Sequence, residues 1–181
     1  MAQKISIAKA RITFKNFSGR PTDWNKKGGA RDFAVVLDNY ADVKSLIDMG
    51  FPVKYFKKKE ETDPDVPFLK VKVNFRFNPD NPQELMSPHI YVVKDPNGPK
   101  SKENLQLIKP ETAPIIDSMD IDYCDIVIRP YYTNVQGTDY VVAYLDTMYI
   151  NREVDPFEAK YINFTSPEEE AEAFPIDDFE G

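Results

Sequence analysis

The chain has 181 residues, a formal net charge of −7, one cysteine and one histidine. This length fits a single domain with a sizeable core, and the 12 Phe and 10 Tyr residues favour a β-rich fold. A lone cysteine excludes an internal disulfide and indicates a reducing compartment, while a lone histidine cannot anchor a metal site by itself. No apolar run resembles a signal peptide or a membrane-spanning helix, so we expect a soluble intracellular protein.

The charges are unevenly distributed along the chain. Residues 165–181 carry seven acidic and no basic side chains, whereas residues 1–164 carry 23 of each. Residues 1–76 hold 16 basic and 9 acidic side chains, and residues 77–164 hold 7 basic and 14 acidic ones. A basic half followed by acidic segments is typical of a protein that binds an anionic ligand, with the acidic end competing for the same site.

A strand and a loop are predicted first. Apolar–polar alternation predicts a strand over residues 4–15, with Phe14 among its inward residues. The apolar phase changes near Ala8, where we expect a β-bulge. Residues 16–30 form a loop that combines an aromatic residue with cations: Trp24, Arg20, Lys26 and Lys27. Trp24 either caps the core or stacks on a base.

Two further strands flank a predicted short helix. Alternation indicates a strand over residues 33–37, and Asp38 or Asn39 then caps a helix that ends at Gly50. The helix is expected to bury three apolar side chains: Val43, Leu46 and Ile47. A third strand over residues 53–56 presents two outward side chains: Lys54 and Phe56.

The most regular alternation lies at residues 68–77 and predicts one unbroken strand. Its apolar face consists of Leu69, Val71, Val73, Phe75 and Phe77, and its other face carries Lys70, Lys72 and Arg76. Lys70 and Lys72 are about 7 Å apart in an extended strand, close to the spacing along the backbone of an extended nucleic acid. The alternative is an ordinary solvated face of an antiparallel sheet.

The second half of the chain is predicted to be strands separated by proline-rich loops. Four strands are expected, at residues 90–93, 105–108, 125–133 and 139–150. The last two form a hairpin around Gln136–Gly137, and Pro130 indicates an edge strand or a bulge. The hairpin carries five tyrosines, of which we expect about half in the core: Tyr131, Tyr132, Tyr140, Tyr144 and Tyr149. Residues 151–164 are expected to pack back through Phe157 and Tyr161.

Residues that could support catalysis are few. Cys124 has no histidine nearby in the sequence and is interpreted as a buried inert thiol, and His89 as a loop residue. Three acidic residues are interpreted as a solvated turn rather than a cation site: Asp120, Asp122 and Asp125. A nuclease-like combination of Asp80 with residues 158–160 is widely separated in the sequence. We therefore expect no metal, no cofactor and no enzymatic activity.

Six short motifs follow one another in a characteristic order: Asn16–Gly19, Arg31–Val35, Pro67–Val71, Ile128–Tyr131, Ala143–Leu145 and Asp155–Tyr161. In their order and spacing, they resemble the bacteriophage single-stranded DNA-binding proteins with an OB-fold over residues 5–164. The resemblance implies an all-β, OB-fold-like five-stranded barrel with one short helix, an extra hairpin and long loops. It also implies non-catalytic, largely sequence-independent coating of single-stranded DNA during phage DNA replication or recombination, in the host-cell cytoplasm and without a membrane.

We expect the DNA-binding domain to comprise residues 1–164, and the oligomeric state is not predicted. Phosphates are expected to contact cations of the outer faces and the loop: Arg11, Lys15, Lys26, Lys27, Lys54, Lys70, Lys72, Arg76 and Arg129. Bases are expected to stack on Trp24, Phe56 or Tyr131. Tyr132 is included because Thr133 stands where the resemblance places an aromatic residue.

Residues 165–181 are expected to form a disordered acidic tail. Five of its residues resemble the apolar-tipped acidic ends of phage and bacterial single-strand binders: Phe174, Ile176, Asp177, Asp178 and Phe179. The resemblance implies that the tail recruits replication or recombination proteins and competes with DNA. Two other functions are consistent with the sequence, namely a phage structural or DNA-mimic module acting through its acidic surface, and a metal-dependent nuclease.

Overall fold

Apolar–polar alternation produces most of the strands in the computed structural model, which describes residues 3–23 and 25–153. The strands are β1 (Ile5–Asn16), β2 (Arg31–Val36), β3 (Lys54–Tyr55), β4 (Pro67–Val73), β5 (Arg76–Asn78), β6 (Asn81–Ser87), β7 (His89–Val93), β8 (Leu105–Ile108), β9 (Ile121–Val135) and β10 (Thr138–Arg152). The helices are α1 (Tyr40–Asp48) and two 3₁₀ helices, η1 (Lys102–Asn104) and η2 (Ala113–Ser118).

Five of these strands close into a barrel. Strand β1 pairs with β2 and β9, β2 pairs with β4, and β10 pairs with both β9 and β4. All these pairings are antiparallel except that of β4 with β10, which is parallel and closes the barrel. Strands β7 and β8 extend the sheet from β10, β3 lies beside β4, and β5 and β6 form a separate hairpin. The predicted all-β, OB-fold-like barrel with a short helix is confirmed.

The barrel interior is filled by alternate residues of each strand. On β4 the buried residues are Leu69, Val71 and Val73, as predicted from their alternation. They meet buried side chains of β2, β9 and β10, which include Phe33, Val35, Ile126, Ile128, Ala143 and Leu145. Each large apolar side chain contributes roughly 1.5–3 kcal/mol when it is removed from water. The core therefore fixes which face of every barrel strand points outward.

Strand β1 contains two bulges, of which the sequence predicts one. Its register against β9 shifts between Ile7 and Ala10, which confirms the bulge expected near Ala8. A second shift, between Thr13 and Asn16, occurs in the pairing with β2. An extra residue in a bulge reverses the alternation beyond it. Phe14 therefore lies outside, with 64% of its surface exposed, and the expectation that it faces the core is wrong.

Helix α1 begins and ends close to the predicted positions. The side chain of Asn39 accepts a hydrogen bond from the Ala41 backbone N–H at 2.9 Å and caps the N-terminus. Gly50, with φ of 93°, follows the C-terminus in the left-handed conformation that glycine tolerates best. Val43 and Leu46 are buried, but Ile47 is 48% exposed, so its predicted burial is wrong.

The strand predicted over residues 68–77 is interrupted. Pairing with β2 ends at Val73, opposite Arg31, because β2 itself begins at Arg31. Beyond that point no described strand of the barrel pairs with the chain, and Arg76 begins β5 in the hairpin with β6. Phe77 is 40% exposed rather than buried. The prediction of one unbroken strand is therefore wrong beyond Val73.

The long hairpin is confirmed and is longer than predicted. Strands β9 and β10 pair from Ile121 to Arg152, and they turn at Gln136 and Gly137, whose φ angles are both positive. Pairing of β9 with β1 ends at Ile128, so among the described strands only β10 pairs with β9 at Pro130. This matches the edge position indicated by the proline.

The tyrosines of the hairpin do not enter the core. Tyr131, Tyr132 and Tyr140 are exposed, and Tyr144 and Tyr149 are half-buried on the outer face. The expectation that half of them are buried is wrong, because residues 131–142 extend beyond the barrel and the inward positions of β10 hold smaller or aliphatic residues. His89, predicted in a loop, is the first residue of β7.

Some sequence-based expectations lie outside the described residues. These are the packing of Phe157 and Tyr161, the tail at 165–181 and the domain boundary near 164. Within the described part of the chain, no helix is long and apolar enough to span a membrane.

Candidate nucleic-acid interface

A row of polar and aromatic side chains crosses the outside of the barrel. Lys72 of β4 is opposite Asp32 of β2 on one side and Tyr144 of β10 on the other. Tyr144 is in turn opposite Arg129 of β9. Opposed residues on neighbouring strands share a face, so these four side chains all point away from the core. Two cations therefore flank one aromatic ring on a contiguous surface.

A pocket of about 500 Å³ opens beside this row, and we call it the outer pocket. It is lined by Asn74, Arg76, Arg129, Tyr131 and Tyr144. The rings of Tyr131 and Tyr144 meet edge to face, with centroids 5.9 Å apart. The β5–β6 hairpin brings Arg76 to the pocket although the strand is interrupted, and its guanidinium donates to Ser87 Oγ at 3.4 Å. Guanidinium groups bind phosphate and aromatic faces stack on bases, so the outer pocket suits a nucleotide.

The cations of this surface differ in how far they are neutralised. Lys70 Nζ lies 3.3 Å from Asp32 Oδ2. Arg129 Nη1 lies 4.0 Å from Asp146 Oδ1, an oxygen that Lys4 Nζ approaches more closely, at 3.2 Å. Among the described residues, Lys72 has no ion-pair partner. Lys72 is therefore more available to an incoming phosphate than Lys70, and Arg129 is held only by the longer contact with Asp146.

An aromatic cluster lies further along β4, and we call it the aromatic patch: Phe14, Phe56 and Phe68. The ring centroids of Phe56 and Phe68 are 4.5 Å apart, and Phe14 lies 5.5 Å from Phe56. Phe68 alternates with Lys70 and Lys72, so the patch continues the outer face that leads to the outer pocket. Sequence reasoning found Phe56 but missed Phe14, since nothing in the sequence marks the second bulge of β1.

Tyr140 is a second aromatic residue that sequence reasoning left out of the candidate site. It is opposite Thr133 across the hairpin and therefore shares a face with Tyr131 and Tyr144. Tyr132 is opposite Val141 and points to the other face. Tyr140 thus stands beside Thr133, the position for which the sequence suggested Tyr132. Hairpin register would have revealed this neighbour.

Several predicted phosphate contacts lie apart from the outer pocket. Arg11 forms two hydrogen bonds with Asp38, at 2.6 and 3.1 Å, and these hold the pKa of Asp38 below its usual value. This pair lines a second pocket of about 430 Å³ with residues of α1 and β3. Lys15 Nζ donates to the Met119 carbonyl at 2.6 Å. Lys54 is exposed on the short strand β3.

Lys26 and Lys27 are exposed in the loop between β1 and β2. Trp24 lies outside the described residues, as do the five tail residues singled out above: Phe174, Ile176, Asp177, Asp178 and Phe179.

The described residues contain no cluster of three metal-ligating side chains. Asp125 Oδ1 accepts the Lys9 backbone N–H at 2.9 Å, at the first bulge of β1, so this carboxylate has a structural role. Cys124 is fully buried, and burial, together with the nearby Asp125 carboxylate, raises the pKa of its thiol to about 12. A thiol with this pKa stays protonated and unreactive near neutral pH.

Comparison with protein families identifies the chain. The family model of the phage ssDNA-binding domain matches residues 1–180. The chain belongs to this family. The resemblance recognised from the sequence is thereby confirmed, and so is the prediction that the chain is a phage protein that binds single-stranded DNA. A search of curated proteins finds no match.

Solved structures of related shape were also compared with this phage ssDNA-binding domain. The single-stranded DNA-binding protein from bacteriophage Enc34, as a C-terminal truncation, superposes with a TM-score of 0.50 and 12% identity, covering 85% of this chain and 88% of that one. At this identity the likeness shows a shared fold. The Enc34 protein in complex with ssDNA has a TM-score of 0.48 and 14% identity, over 85% and 89% of the chains. The gp2.5 protein of bacteriophage T7 has 0.41 and 10%, over 97% and 96%.

Proposed function

We propose that this phage ssDNA-binding domain binds single-stranded DNA non-catalytically, and largely independently of base sequence, along the outer face of β4 and across to β9 and β10. The observation that supports this most directly is the outer pocket, where Arg76 and Arg129 meet Tyr131 and Tyr144. These four side chains come from three separate strands, β5, β9 and β10. Folding therefore assembles the two residue types that single strands require, a cation for the backbone and an aromatic face for the base.

The two kinds of side chain have different roles in this proposal. Lys72, Arg76 and Arg129 neutralise phosphates, and Tyr131 and Tyr144 stack on bases. Every base has an aromatic face and every nucleotide a phosphate, so neither contact reads sequence. Lys70 first has to exchange Asp32 for a phosphate, which reduces its net contribution.

The aromatic patch extends the binding path along β4. Phe68, Lys70 and Lys72 occupy successive outward positions, so a strand leaving the outer pocket passes both lysines before it reaches the patch. Phe14 is exposed and Phe56 half-buried, which leaves part of each ring available for stacking. The proposed path thus joins residues from the N-terminal half of the chain, such as Lys72 and Phe56, to residues of the β9–β10 hairpin, such as Arg129.

Family membership and the charge of the C-terminal segment support a proposal for the wider role. A protein that coats single strands in phage DNA replication or recombination works in the host-cell cytoplasm, where that DNA is exposed. Residues 165–181 carry seven acidic and no basic side chains. They act as a tail that competes with DNA for the cations of the binding path and recruits replication or recombination proteins through Ile176 and Phe179.

The proposal is tested by fluorescence anisotropy with labelled single- and double-stranded oligonucleotides, with and without Mg²⁺. A triple variant (Lys72→Ala, Arg76→Ala, Arg129→Ala) is compared with a control of equal net charge (Lys44→Ala, Lys102→Ala, Lys109→Ala). The control lysines are exposed on α1, on η1 and after β8. We expect preference for the single strand, intact DNA on a denaturing gel, and a much larger loss of affinity in the first variant than in the control.

Other outcomes would contradict the proposal. Equal losses in the two triple variants would mean that net charge rather than the outer pocket governs binding. Cleavage of DNA that requires Mg²⁺ would indicate a nuclease. No binding to either oligonucleotide by the unmodified chain would indicate an interaction module.

A further inference from the structure

The loop between β1 and β2, residues 17–30, is fastened to the barrel at its base by one carboxylate. Asp117, on η2, accepts hydrogen bonds from the backbone N–H groups of Phe17 at 2.7 Å and Ser18 at 3.2 Å. Asp117 also forms an ion pair with Arg20, whose Nη1 lies 3.0 Å from Asp117 Oδ2. The Asp117 side chain is only 13% exposed. It is therefore placed to hold the loop and not to meet solvent or DNA.

A second set of contacts closes the neck of the same loop. Asn16 is buried; its Oδ1 accepts the Arg20 N–H at 3.0 Å, and its amide donates to the Arg20 and Ala30 carbonyls at 3.1 and 3.5 Å. The Gly29 N–H donates to the Gly19 carbonyl at 2.7 Å. The two ends of the loop are thus held together. The contacts of Asp117 at the base of the loop therefore orient it relative to the barrel.

The fastened loop carries two exposed cations. Lys26 and Lys27 are exposed, and within the described part of the chain neither has an ion-pair partner. The loop leads directly into Arg31, which is opposite Val73, the residue before Asn74 of the outer pocket. The Arg31 guanidinium lies over the Phe75 ring, 5.0 Å from its centroid. The loop therefore leaves the barrel beside residues 74–75, which connect β4 to β5 and include Asn74 of the outer pocket.

We infer that Asp117 is a positioning residue for single-stranded DNA binding: it fixes the loop so that Lys26 and Lys27 flank the strand bound at the outer pocket. This inference rests on the proposed function. It assigns a DNA-binding role to an acidic residue that does not itself contact DNA. Simple electrostatics gives the opposite expectation, because removing a negative charge near the site should tighten the binding of a polyanion.

The test is a double-mutant cycle measured by anisotropy with a labelled oligo(dT), in the full chain. Asp117→Asn keeps the size of the side chain but removes its charge. We expect it to weaken binding, by no more than the loss seen in the Lys26→Ala/Lys27→Ala variant, and to cause no further loss when combined with that variant. Its salt slope should fall towards that of the double lysine variant.

A second variant approaches the loop without changing any charge. Gly28 has φ of 73°, and an added Cβ would lie 2.9 Å from the Gly19 carbonyl oxygen, so Gly28→Ala should force the neck apart. We expect the same loss of affinity, again absent in the Lys26→Ala/Lys27→Ala background. Should Asp117→Asn prove unfolded by circular dichroism, Gly28→Ala tests whether the loop must be held in this conformation, and unchanged binding by Gly28→Ala would then overturn the inference.

Three results would overturn the inference. Unchanged or tighter binding by folded Asp117→Asn would show that the carboxylate does not position the loop. A loss of equal size in the presence and absence of Lys26 and Lys27 would show that Asp117 acts elsewhere. If Lys26→Ala/Lys27→Ala binds like the unmodified chain, the loop is not part of the interface, whereas the proposed function stands or falls separately with the outer-pocket triple variant.

Discussion

Adjacent residues of a strand point to opposite faces, so Tyr131 and Tyr132 serve as a matched pair for testing base stacking. Both are exposed, at 54% and 58%, but only Tyr131 lines the outer pocket. If Tyr131 stacks on a base, Tyr131→Ala should weaken single-strand binding by about 1–3 kcal/mol. Tyr132→Ala should have a clearly smaller effect, and neither change should lower the melting temperature much, because neither side chain is buried.

Anisotropy titrations of the two variants, with thermal melts alongside, check this prediction. Equal losses would mean that the two faces of the hairpin contribute alike. A larger loss for Tyr132→Ala would move the interface to the opposite face.

The single cysteine gives a prediction about pH. The pKa of the Cys124 thiol is raised to about 12 by burial, from a value of 9.0 without burial. The folded state keeps the thiol proton up to a higher pH than the unfolded state does. The contribution of this protonated thiol to the free energy of unfolding is therefore fully present below pH 9.0 and is lost progressively as pH rises towards 12. Urea unfolding midpoints should therefore fall between these pH values.

The Cys124→Ala variant should show a weaker decline over the same pH range, which separates this thiol from the other groups that titrate there. A thiol reagent at pH 8 should leave the native chain unmodified and label it once in denaturant. Rapid labelling of the native chain would contradict the burial of Cys124.

At the scale of elements, phosphate binding can be tested on strand β4, which presents Lys70 and Lys72 on its outer face. Removing one cation that binds a phosphate should reduce the slope of log K against log salt by about 0.7 for a single strand. Lys72 has no ion-pair partner among the described residues, so Lys72→Ala should show this full reduction. Lys70→Ala should show less, because Lys70 is paired with Asp32. Lys109→Ala, exposed after β8, should leave the slope unchanged, and a slope equally unchanged in Lys72→Ala would mean that β4 presents only a solvated face.

Elements defined by local pattern could be predicted from the sequence, and those defined by pairing could not. The strands of the barrel, the Asn39 cap and the turn at Gln136–Gly137 each depend on a few neighbouring residues. The end of β4 at Val73 depends instead on where β2 begins, and the second bulge of β1 on its register with β2. Such long-range constraints leave no trace in the alternation of a single strand.

The same distinction applies to the candidate site. Strand alternation and the family resemblance predict Lys72, Arg129 and Tyr131 as binding residues, and these three lie on one outer face. Tyr144 and Tyr140 are not predicted from the sequence, because alternation alone does not tell which hairpin tyrosines face outward beside Arg129 and Tyr131. A side chain becomes part of a binding surface through its cross-strand neighbours, which only the register supplies.

For the whole molecule, closure of the barrel brings strands from the two oppositely charged halves of the chain side by side. Strand β4 belongs to the basic half, residues 1–76, and β9 and β10 to the acidic half, residues 77–164. The parallel pairing of β4 with β10 places Lys72 next to Tyr144 and one strand away from Arg129. A cationic surface therefore forms where β4 meets β10, although residues 1–164 as a whole carry 23 basic and 23 acidic side chains.

The acidic segment after this body supplies the last prediction. Residues 165–181 carry seven acidic side chains and no basic one, so we expect them to be attracted to the cations that are proposed to bind DNA. Deleting them should tighten single-strand binding at low salt. The gain should shrink as salt rises, because the Debye length falls from about 30 Å at 0.01 M to about 10 Å at 0.1 M. The melting temperature should hardly change, since the segment has little apolar surface to bury.

A full-length variant separates charge from chain length. Replacing the seven acidic side chains by their amides keeps all 181 residues and should tighten DNA binding as much as the deletion does. It should retain any protein contact made through the apolar side chains Ile176 and Phe179, which the deletion abolishes. If the amide variant binds DNA like the unmodified chain while the deletion binds more tightly, the tail hinders DNA by its bulk and not by its charge. Equal affinities of all three chains at low salt would show that the tail does not compete with DNA for the binding path.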